Sequence, residues 1–152
     1  MTALFIVRRA EPDDASAIVN FNRAHALEVE GRALKDEASR CGVEAVFADS
    51  AKGCYYVVES DETLIGVLLI TYEWSDWRNS QVWWIQSVYV TPFYRSSGAF
   101  KTLFSFVEQQ AKLAHCCELK LYVVHDNNRA IAAYSKRGLC QSKYVIYEKE
   151  LA

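Results

Sequence analysis

Residues 86–104 read Gln-Ser-Val-Tyr-Val-Thr-Pro-Phe-Tyr-Arg-Ser-Ser-Gly-Ala-Phe-Lys-Thr-Leu-Phe. A β-rich run ends at Pro92, a turn of basic and small residues follows, and a helical pattern starts near Gly98 or Ala99. The first turn of a helix carries backbone N–H groups that have no partner inside the helix, so it attracts anions, above all phosphate. Arg95 adds a positive charge beside these groups. The sequence therefore predicts an anion site where the strand turns into the helix.

Two common phosphate-binding signatures, the Gly-Lys-Ser/Thr loop and the three-glycine dinucleotide fingerprint, are absent from the sequence. Instead, Val88-Tyr-Val90 followed by Arg95-x-x-Gly98-Ala99 resembles the acyl-CoA motif of the Gcn5-related N-acetyltransferases (the GNAT family). That motif is Arg or Gln-x-x-Gly-x-Gly or Ala after a hydrophobic strand. Phe100 departs from it, because the family has Gly or Ala at this position. The ring would either crowd the pyrophosphate or turn back onto the sheet.

A second segment strengthens the resemblance. After the strand-like residues 118–124 the chain reads Asn127-x-x-Ala130-Ile131-x-x-Tyr134-x-Lys136-x-Gly138-Leu139. In the family, the matching segment has an Asn near the pantetheine arm, an Ala on a helix packed beside that arm, and a Tyr directed toward the thiol. The two segments occur in the family's order and spacing, and the resemblance covers the chain from roughly residue 4 to its end.

The resemblance implies acetyl-CoA (coenzyme A) as the cofactor. The residues implied to hold it are Val88, Tyr89, Val90, Arg95, Ser96, Ser97, Gly98, Ala99, Phe100, Lys101, Asn127, Ala130 and Tyr134. Tyr134 is also the candidate catalytic residue, because a phenol near the departing sulfur can donate its proton. A tyrosine that merely packs on its helix is the alternative for Tyr134. A residue that caps the following helix is the alternative for Asn127.

The acceptor site is predicted from residues 72–84, which contain four tryptophans and two carboxylates. An aromatic box with acids nearby suits a cationic amine, whereas core packing plus a dimer surface is the alternative. The candidate substrate-binding residues are Glu28, Tyr72, Trp74, Trp84 and Gln86. The general base stays open, because residues 84–87 carry no carboxylate. Water relayed through Ser87 or Tyr72 is one option, and the fallback candidates are Glu28, Glu73, Asp76 and His125.

Composition bounds the remaining possibilities. A chain of 152 residues is predicted to form one domain over residues 1–152, and the net charge of −2 gives no reason to expect nucleic acid as a partner. No apolar run is long enough to span a bilayer, and the N-terminal residues do not resemble a signal peptide, so we expect no membrane partner and a cytoplasmic location. Five cysteines without a Cys-x-x-Cys pair and three histidines without ligand spacing predict no metal site.

The hydrophobic periodicity predicts an α/β protein. The expected helices cover residues 15–29, 36–47, 98–115 and 127–136, with Asp13 as the first N-cap and with stops at Gly31 and Gly138. The expected strands cover residues 4–7, 54–58, 64–72, 81–90 and 119–124, and Tyr144–Tyr147 is expected to end the sheet. The resemblance implies a three-layer GNAT-like fold, with a mixed central sheet of about six to seven strands flanked by about four helices.

The implied activity is transfer of an acetyl group from acetyl-CoA to a primary amine of a small molecule or an amino-acid-like acceptor. Direct attack in a ternary complex is expected, because no cysteine lies at a motif position that would support an acetylated enzyme. A protein or peptide acceptor is one alternative. A non-catalytic acyl-CoA sensor or interaction module, in which Phe100 obstructs productive binding, is another. The partners would be the small-molecule amine and, in a homodimer, a second copy of the chain.

Overall fold

The computed structural model describes residues 4–152. The chain divides into two compact units, one ending at Tyr122 and the other covering Val123–Ala152. The first unit contains strands β1 (Phe5–Arg9), β2 (Cys54–Ser60), β3 (Thr63–Ser75), β4 (Ser80–Val90) and β5 (Glu118–Leu121), and helices α1 (Ala15–Glu30), α2 (Asp36–Ala48) and α3 (Ala99–Leu113). The second unit contains helix α4 (Asn128–Lys136).

The five strands form one mixed sheet in the order β1-β2-β3-β4-β5. Strands β1 to β4 pair antiparallel, and β5 pairs parallel to β4. The hairpin between β2 and β3 turns at Asp61 and Glu62, whose φ values of 48° and 61° suit a tight hairpin turn. The predicted α/β class, the mixed sheet and the four helices are therefore confirmed.

Helices cover both faces of the sheet in the first unit. On one face, Ile18 of α1 and Val43 of α2 join a buried cluster with Tyr55, Val57 and Val67 of the sheet. On the other face, α3 buries the apolar stripe that its sequence spacing predicts: Leu103, Phe104, Val107 and Ala111. Consecutive residues Val82 and Trp83 of β4 are both buried, as expected for a strand that is covered on both faces.

The sheet has five strands in the described residues, fewer than the predicted six to seven. β5 ends at Leu121 instead of Val124, and residues 139–152 form no strand. The segment expected to end the sheet is exposed, from 59% at Ile146 to 93% at Tyr147. Its apolar residues favour a strand locally, but a strand also needs a neighbour to pair with its backbone groups.

The ends of the helices depend on single residues. Gly31 and Gly138 adopt positive φ values of 60° and 87° beyond the ends of α1 and α4, which confirms both predicted stops. Asp13 as N-cap of α1 is wrong, because a 3-10 turn over Pro12–Asp14 places Asp14 at that position. Within residues 4–152, no helix has both the length and the apolar character that crossing a membrane requires.

Candidate active site

Strands β4 and β5 pair only along the first part of β4, from Val82 opposite Glu118 to Ile85 opposite Leu121. On its other side β4 stays paired with β3 as far as Val90. From residue 86 to residue 90, the edge of β4 that faces away from β3 has no strand partner among the described residues. Its backbone donors and acceptors can therefore bind an extended ligand as an added strand would.

A β-bulge marks the point where β4 leaves β5. Leu69 of β3 pairs with Ser87 and Ile70 pairs with Ile85, so Gln86 is the extra residue. The Gln86 side chain is held in place, because its Nε2 donates to the Thr71 hydroxyl at 2.9 Å. The predicted substrate-binding residue Gln86 thus lies at the start of the unpaired edge.

The turn after β4 leads this edge into α3. Ser96 and Gly98 have φ values of 63° and 98°, and α3 begins at Ala99. The Gly98 carbonyl accepts two hydrogen bonds from Thr102, one from the backbone N–H and one from the hydroxyl, both at 2.9 Å. An ideal Cβ at Gly98 would meet only the Phe5 ring, at 4.0 Å. Glycine is therefore favoured there by the positive φ, not by lack of space.

The first turn of α3 fits an anion. No side chain in the described part of the chain caps this helix end. The backbone N–H groups of Ala99 and Lys101 precede the first intrahelical bond, in which Thr102 donates to Gly98. Helix N–H groups and the positive end of the helix dipole are the features with which proteins bind phosphate. The turn and the start of the helix lie where the sequence predicts them, and anion binding there stays a prediction.

The Phe100 ring turns along its own helix. Its centroid lies 5.9 Å from that of Phe104, one turn further on, with 47° between the ring planes. The side chain is half-buried, and Phe104 is buried. The observed contact is therefore with the apolar stripe of its own helix, and whether the ring crowds the pyrophosphate or turns back onto the sheet stays a prediction.

Arg95 is the most highly connected side chain of the turn. Its Nε donates to the Val90 carbonyl at 2.8 Å, and its Nη1 and Nη2 donate to the two carboxylate oxygens of Glu28 at 2.6 and 2.7 Å. The guanidinium carbon lies 5.3 Å from the centroid of the Tyr89 ring. The hydrogen-bonded Glu28 carboxylate raises the pKa of Arg95. Arg95, which is predicted to bind the cofactor, and Glu28, which is predicted to bind the substrate, are thus in direct contact.

Two residues near the Arg95–Glu28 pair, Phe21 and His25, were not among the residues predicted from the sequence. The ring of Tyr89 lies 5.7 Å from the ring of Phe21 and 6.2 Å from the ring of His25, both on α1. Together with Glu28 they follow the spacing i, i+4, i+7, so they share one face of the helix. That spacing was a visible signal, although it does not tell which strand the face meets.

The substrate-binding candidates divide between the two faces of the sheet. Leu69 packs against the core beneath α1 and α2, and alternation along β3 places Thr71 on the same face. Trp84 pairs with Thr71, and Gln86 is bonded to it, so both lie on the α1/α2 face. Glu28, as a residue of α1, also belongs to this side.

Tyr72 and Trp74 lie on the opposite face. Tyr72 pairs with Trp83, and their ring centroids are 5.9 Å apart. Burial raises the pKa of Tyr72. Exposure also separates the four tryptophans, because Trp83 is only 6% exposed whereas Trp77 is 92% exposed. The structure therefore does not bring the four indoles together into one box.

Trp84 instead has its own set of neighbours on the α1/α2 face. Its ring lies 4.7 Å from that of Tyr122, and the Lys120 Nζ lies 5.5 Å from the Trp84 centroid. The same Nζ is 3.3 Å from Glu73 Oε2 and 3.8 Å from Glu118 Oε2. Lys120 was missed because the register between β4 and β5 cannot be read from the sequence.

The second unit carries the remaining candidates. Asn127 caps α4, since its Oδ1 accepts a hydrogen bond from the Ala130 N–H at 3.2 Å. The capping role that was the alternative for Asn127 is thus observed. Tyr134 lies in the last turn of α4 and is half-buried. Burial raises the pKa of Tyr134 to about 12, so its phenol is protonated at neutral pH.

Known structures resemble this chain over nearly its full length. A possible acetyltransferase from Clostridium difficile 630 is 36% identical, covers 98% of this chain and 99% of its own, and superposes with a TM-score of 0.91. The aminoglycoside N-acetyltransferase AAC(6')-Iy, solved in complex with CoA, has a TM-score of 0.82 at 14% identity and covers 100% of this chain and 98% of its own. At 14% identity, this match shows only that the two chains share a fold.

A curated relative is the uncharacterized protein YdhI of Bacillus subtilis (strain 168), which is 33% identical over 90 residues, or 59% of this chain. The match spans about half of that relative, 51% of its length. The model of the Acetyltransferase (GNAT) family matches residues 21–139, which include both predicted motifs and parts of both compact units. The family predicted from those motifs is confirmed, and the chain belongs to the Acetyltransferase (GNAT) family.

Proposed function

We propose that this protein is an acetyl-CoA-dependent N-acetyltransferase that acts on a primary amine of a small molecule. One observation carries the proposal. The unpaired edge of β4, residues 86–90, leads directly into the uncapped first turn of α3. An acyl-CoA offers the matching groups in the same order, since amide-containing pantetheine follows the acyl group and pyrophosphate follows pantetheine.

The cofactor is held mainly by backbone groups. Acetyl-CoA supplies an activated acetyl thioester when it is bound. The backbone of Val88, Tyr89 and Val90 binds the pantetheine and orients the thioester carbonyl, and the amides of residues 96–101 hold the pyrophosphate. Arg95 fixes the Val90 carbonyl at the end of this strand, and its guanidinium is paired with Glu28. Asn127 and Ala130 belong to the proposed cofactor site because they match the family's second motif.

Tyr134 is the proposed proton donor to the departing thiolate. Its position in the second motif supports this role, because the matching tyrosine of the family is directed toward the thiol. The chain needs no covalent acetyl-enzyme in this scheme. The acceptor amine, deprotonated by water, attacks the thioester carbon directly while the backbone of β4 holds the carbonyl. The C–N bond forms and the C–S bond breaks, the excess proton on nitrogen passes to water, and Tyr134 protonates the departing thiolate.

The proposed acceptor site comprises Glu28, Trp84 and Gln86, which share the α1/α2 side of the sheet. Tyr72 and Trp74 are left out because they lie on the other face. The contact between Phe100 and Phe104 favours the transferase over the non-catalytic sensor, since the ring packs along α3. We further propose that residues 1–152 act as one cytoplasmic domain. The family match runs through both units, and all five cysteines are free thiols.

Two measurements test this function. Acetyl-CoA should raise the melting temperature, because a ligand at 100 times its Kd stabilises a protein by about 2.7 kcal/mol. S-acetyl-N-acetylcysteamine, which has the thioester but no pyrophosphate, is the control and should give a much smaller shift. Release of free coenzyme A should then be followed across a panel of small amines. A melting shift without thiol release from any amine would favour the sensor, and the absence of any shift would contradict both functions.

A further inference from the structure

The ammonium of Lys120 occupies a small site on the face of the sheet that α1 and α2 cover. One aromatic ring and two carboxylates surround it: Trp84 at 5.5 Å from the ring centroid, Glu73 at 3.3 Å and Glu118 at 3.8 Å. A cation over an indole ring with carboxylates beside it is a recurrent arrangement for binding alkylammonium groups. In this structure, the chain itself supplies the cation.

This site adjoins the bulge of β4. Trp84 precedes Gln86 by two residues, and Thr71 joins them, since it pairs with Trp84 and accepts a hydrogen bond from Gln86. Lys120 is the residue of β5 directly opposite Trp84. The ammonium therefore lies beside the point where β4 separates from β5, which is where the proposed cofactor edge begins.

The charges around Lys120 are balanced in pairs. Glu118 is also bonded to Arg78, whereas Glu73 is paired with Lys120. If the Lys120 ammonium moved away, the group would be left with one excess negative charge, which matches one incoming cation. The exposed fractions of the side chains, 32% for Lys120 and 45% for Glu73, leave the site open to solvent. Ion pairs this exposed contribute little to stability, so displacing Lys120 is energetically cheap.

We propose that Trp84, Glu73 and Glu118 bind an ammonium group of the acceptor, and that Lys120 occupies this position until the acceptor displaces it. Lys120 is thus a specificity-determining residue that competes with cationic acceptors. The fitting acceptor is a diamine, with one ammonium held here and the other amine directed toward the β4 edge. This inference rests on the proposed function, because it assigns part of the acceptor site.

The test replaces Lys120 by methionine, which has similar length and no charge. The substrates are 1-aminobutane and 1,4-diaminobutane, assayed with acetyl-CoA. In Lys120→Met, the KM for the diamine should fall about three- to fivefold, which corresponds to the small cost of displacing an exposed ion pair, while that for the monoamine stays within about 1.5-fold. Adding Glu73→Gln to this variant should cancel the gain. Lys112→Met is the matched control and should change neither KM, since Lys112 is an exposed residue of α3 paired with Glu108.

Two kinetic outcomes would overturn the inference. An unchanged KM for the diamine would show that Lys120 does not compete with it, and an equal fall for both amines would show that Lys120 only obstructs access. Lys120→Gln provides the same test if the methionine variant does not fold.

Calorimetric titration of 1,4-diaminobutane into wild type and Lys120→Met, without acetyl-CoA, separates this inference from the proposed function. Tighter diamine binding by the variant without any acetylation would support the ammonium site and contradict the transferase. Acetylation by the wild type together with equal diamine binding by both proteins would support the transferase and contradict the ammonium site.

Discussion

Glu28 and Arg95 form a two-point ion pair that joins helix α1 to the turn after β4. Each carboxylate oxygen accepts one N–H of the guanidinium, at 2.6 and 2.7 Å, and the Nε of the same group donates to the Val90 carbonyl. The side chain of Arg95 is 18% exposed and that of Glu28 is 46% exposed. One arginine thus connects a wall of the proposed acceptor site with the end of the strand that is proposed to hold the cofactor.

Replacing Glu28 by glutamine should remove the charge of this pair and leave its shape. The expected loss of unfolding free energy is small, about 0.5–1 kcal/mol, because Glu28 is half exposed. The KM for the acceptor should rise while the KM for acetyl-CoA stays within about twofold. Urea unfolding and steady-state kinetics measure these effects. Glu30→Gln, an exposed change on the same helix, is the control. If both variants behave alike, the charge of the Glu28–Arg95 pair does not contribute to acceptor binding.

Replacing Gly98 by alanine should strain the turn before α3. A φ of 98° is unfavourable for alanine, so we expect a loss of about 1–2 kcal/mol in unfolding free energy and weaker acetyl-CoA binding. Gly42→Ala is the matched control, because Gly42 lies inside α2 with nothing within 4 Å of an ideal Cβ. That change should stabilise the protein by about 0.5–1 kcal/mol. Unchanged acetyl-CoA affinity in Gly98→Ala, measured by calorimetry, would contradict the proposed pyrophosphate position.

Replacing Tyr134 by phenylalanine should remove the proposed proton donor without changing the shape of the ring. The expected result is a fall in kcat of about a hundredfold or more, with the Kd for acetyl-CoA within about twofold of wild type. Tyr147→Phe serves as the control, since Tyr147 is 93% exposed. Equal kcat values for wild type and Tyr134→Phe would exclude the phenol as the general acid.

Replacing Phe100 by alanine tests the orientation of its ring. Because the ring packs against Phe104, its removal should destabilise the fold by about 1 kcal/mol and change the Kd for acetyl-CoA by less than about threefold. Thermal unfolding and calorimetric titration provide the two values. A gain of tenfold or more in acetyl-CoA affinity would mean that the ring crowds the cofactor instead.

Asp14 should make the stability of the fold depend on pH. Its carboxylate accepts hydrogen bonds from Arg8 and from the Glu11 N–H, and the Arg8 guanidinium lowers the pKa of Asp14 below its ordinary value of about 3.8. A carboxyl group with a lowered folded-state pKa stabilises the fold above its unfolded-state pKa, and this stabilisation is lost as the pH falls through the folded-state pKa.

The stability of the wild type should therefore decrease below about pH 4, and that of Asp14→Asn should decrease less steeply. At pH 7 the variant should be about 2–3 kcal/mol less stable, because it leaves a half-buried arginine with a weaker partner. Urea unfolding at pH 7 and pH 3 checks both statements. Parallel pH profiles for the two proteins would contradict the assigned role of Asp14.

Some features of the fold depend on local backbone chemistry and were predictable. Gly31 and Gly138 end their helices because a positive φ follows each helix, and glycine accepts it without strain. The stripe from Leu103 to Ala111 gave the buried face of α3. Asp14 was not predictable as the cap of α1, because its position depends on the bonds that it makes with Arg8 and Glu11.

The candidate site depends on contacts between distant residues, so less of it could be predicted. Glu28 and Arg95 are 67 residues apart in sequence, and periodicity cannot show that one helix face meets that strand end. Nearness in sequence was also misleading. Trp83 and Trp84 are consecutive, but a strand directs consecutive side chains to opposite faces, so they cannot share one box. The anion turn was predictable because its strand, turn and helix are contiguous.

The first turn of α3 offers the proposed ligand main-chain N–H groups, which every residue except proline possesses. Truncating Ser96, Ser97 or Lys101 to alanine would leave these donors in place. Alanine variants of these residues should therefore bind the ligand with almost the same affinity as the wild type. Only a substitution that changes the backbone angles, as at Gly98, or removes a donor, as proline would, reports on it. For the same reason, homologous chains can vary widely in this turn and still bind the same group.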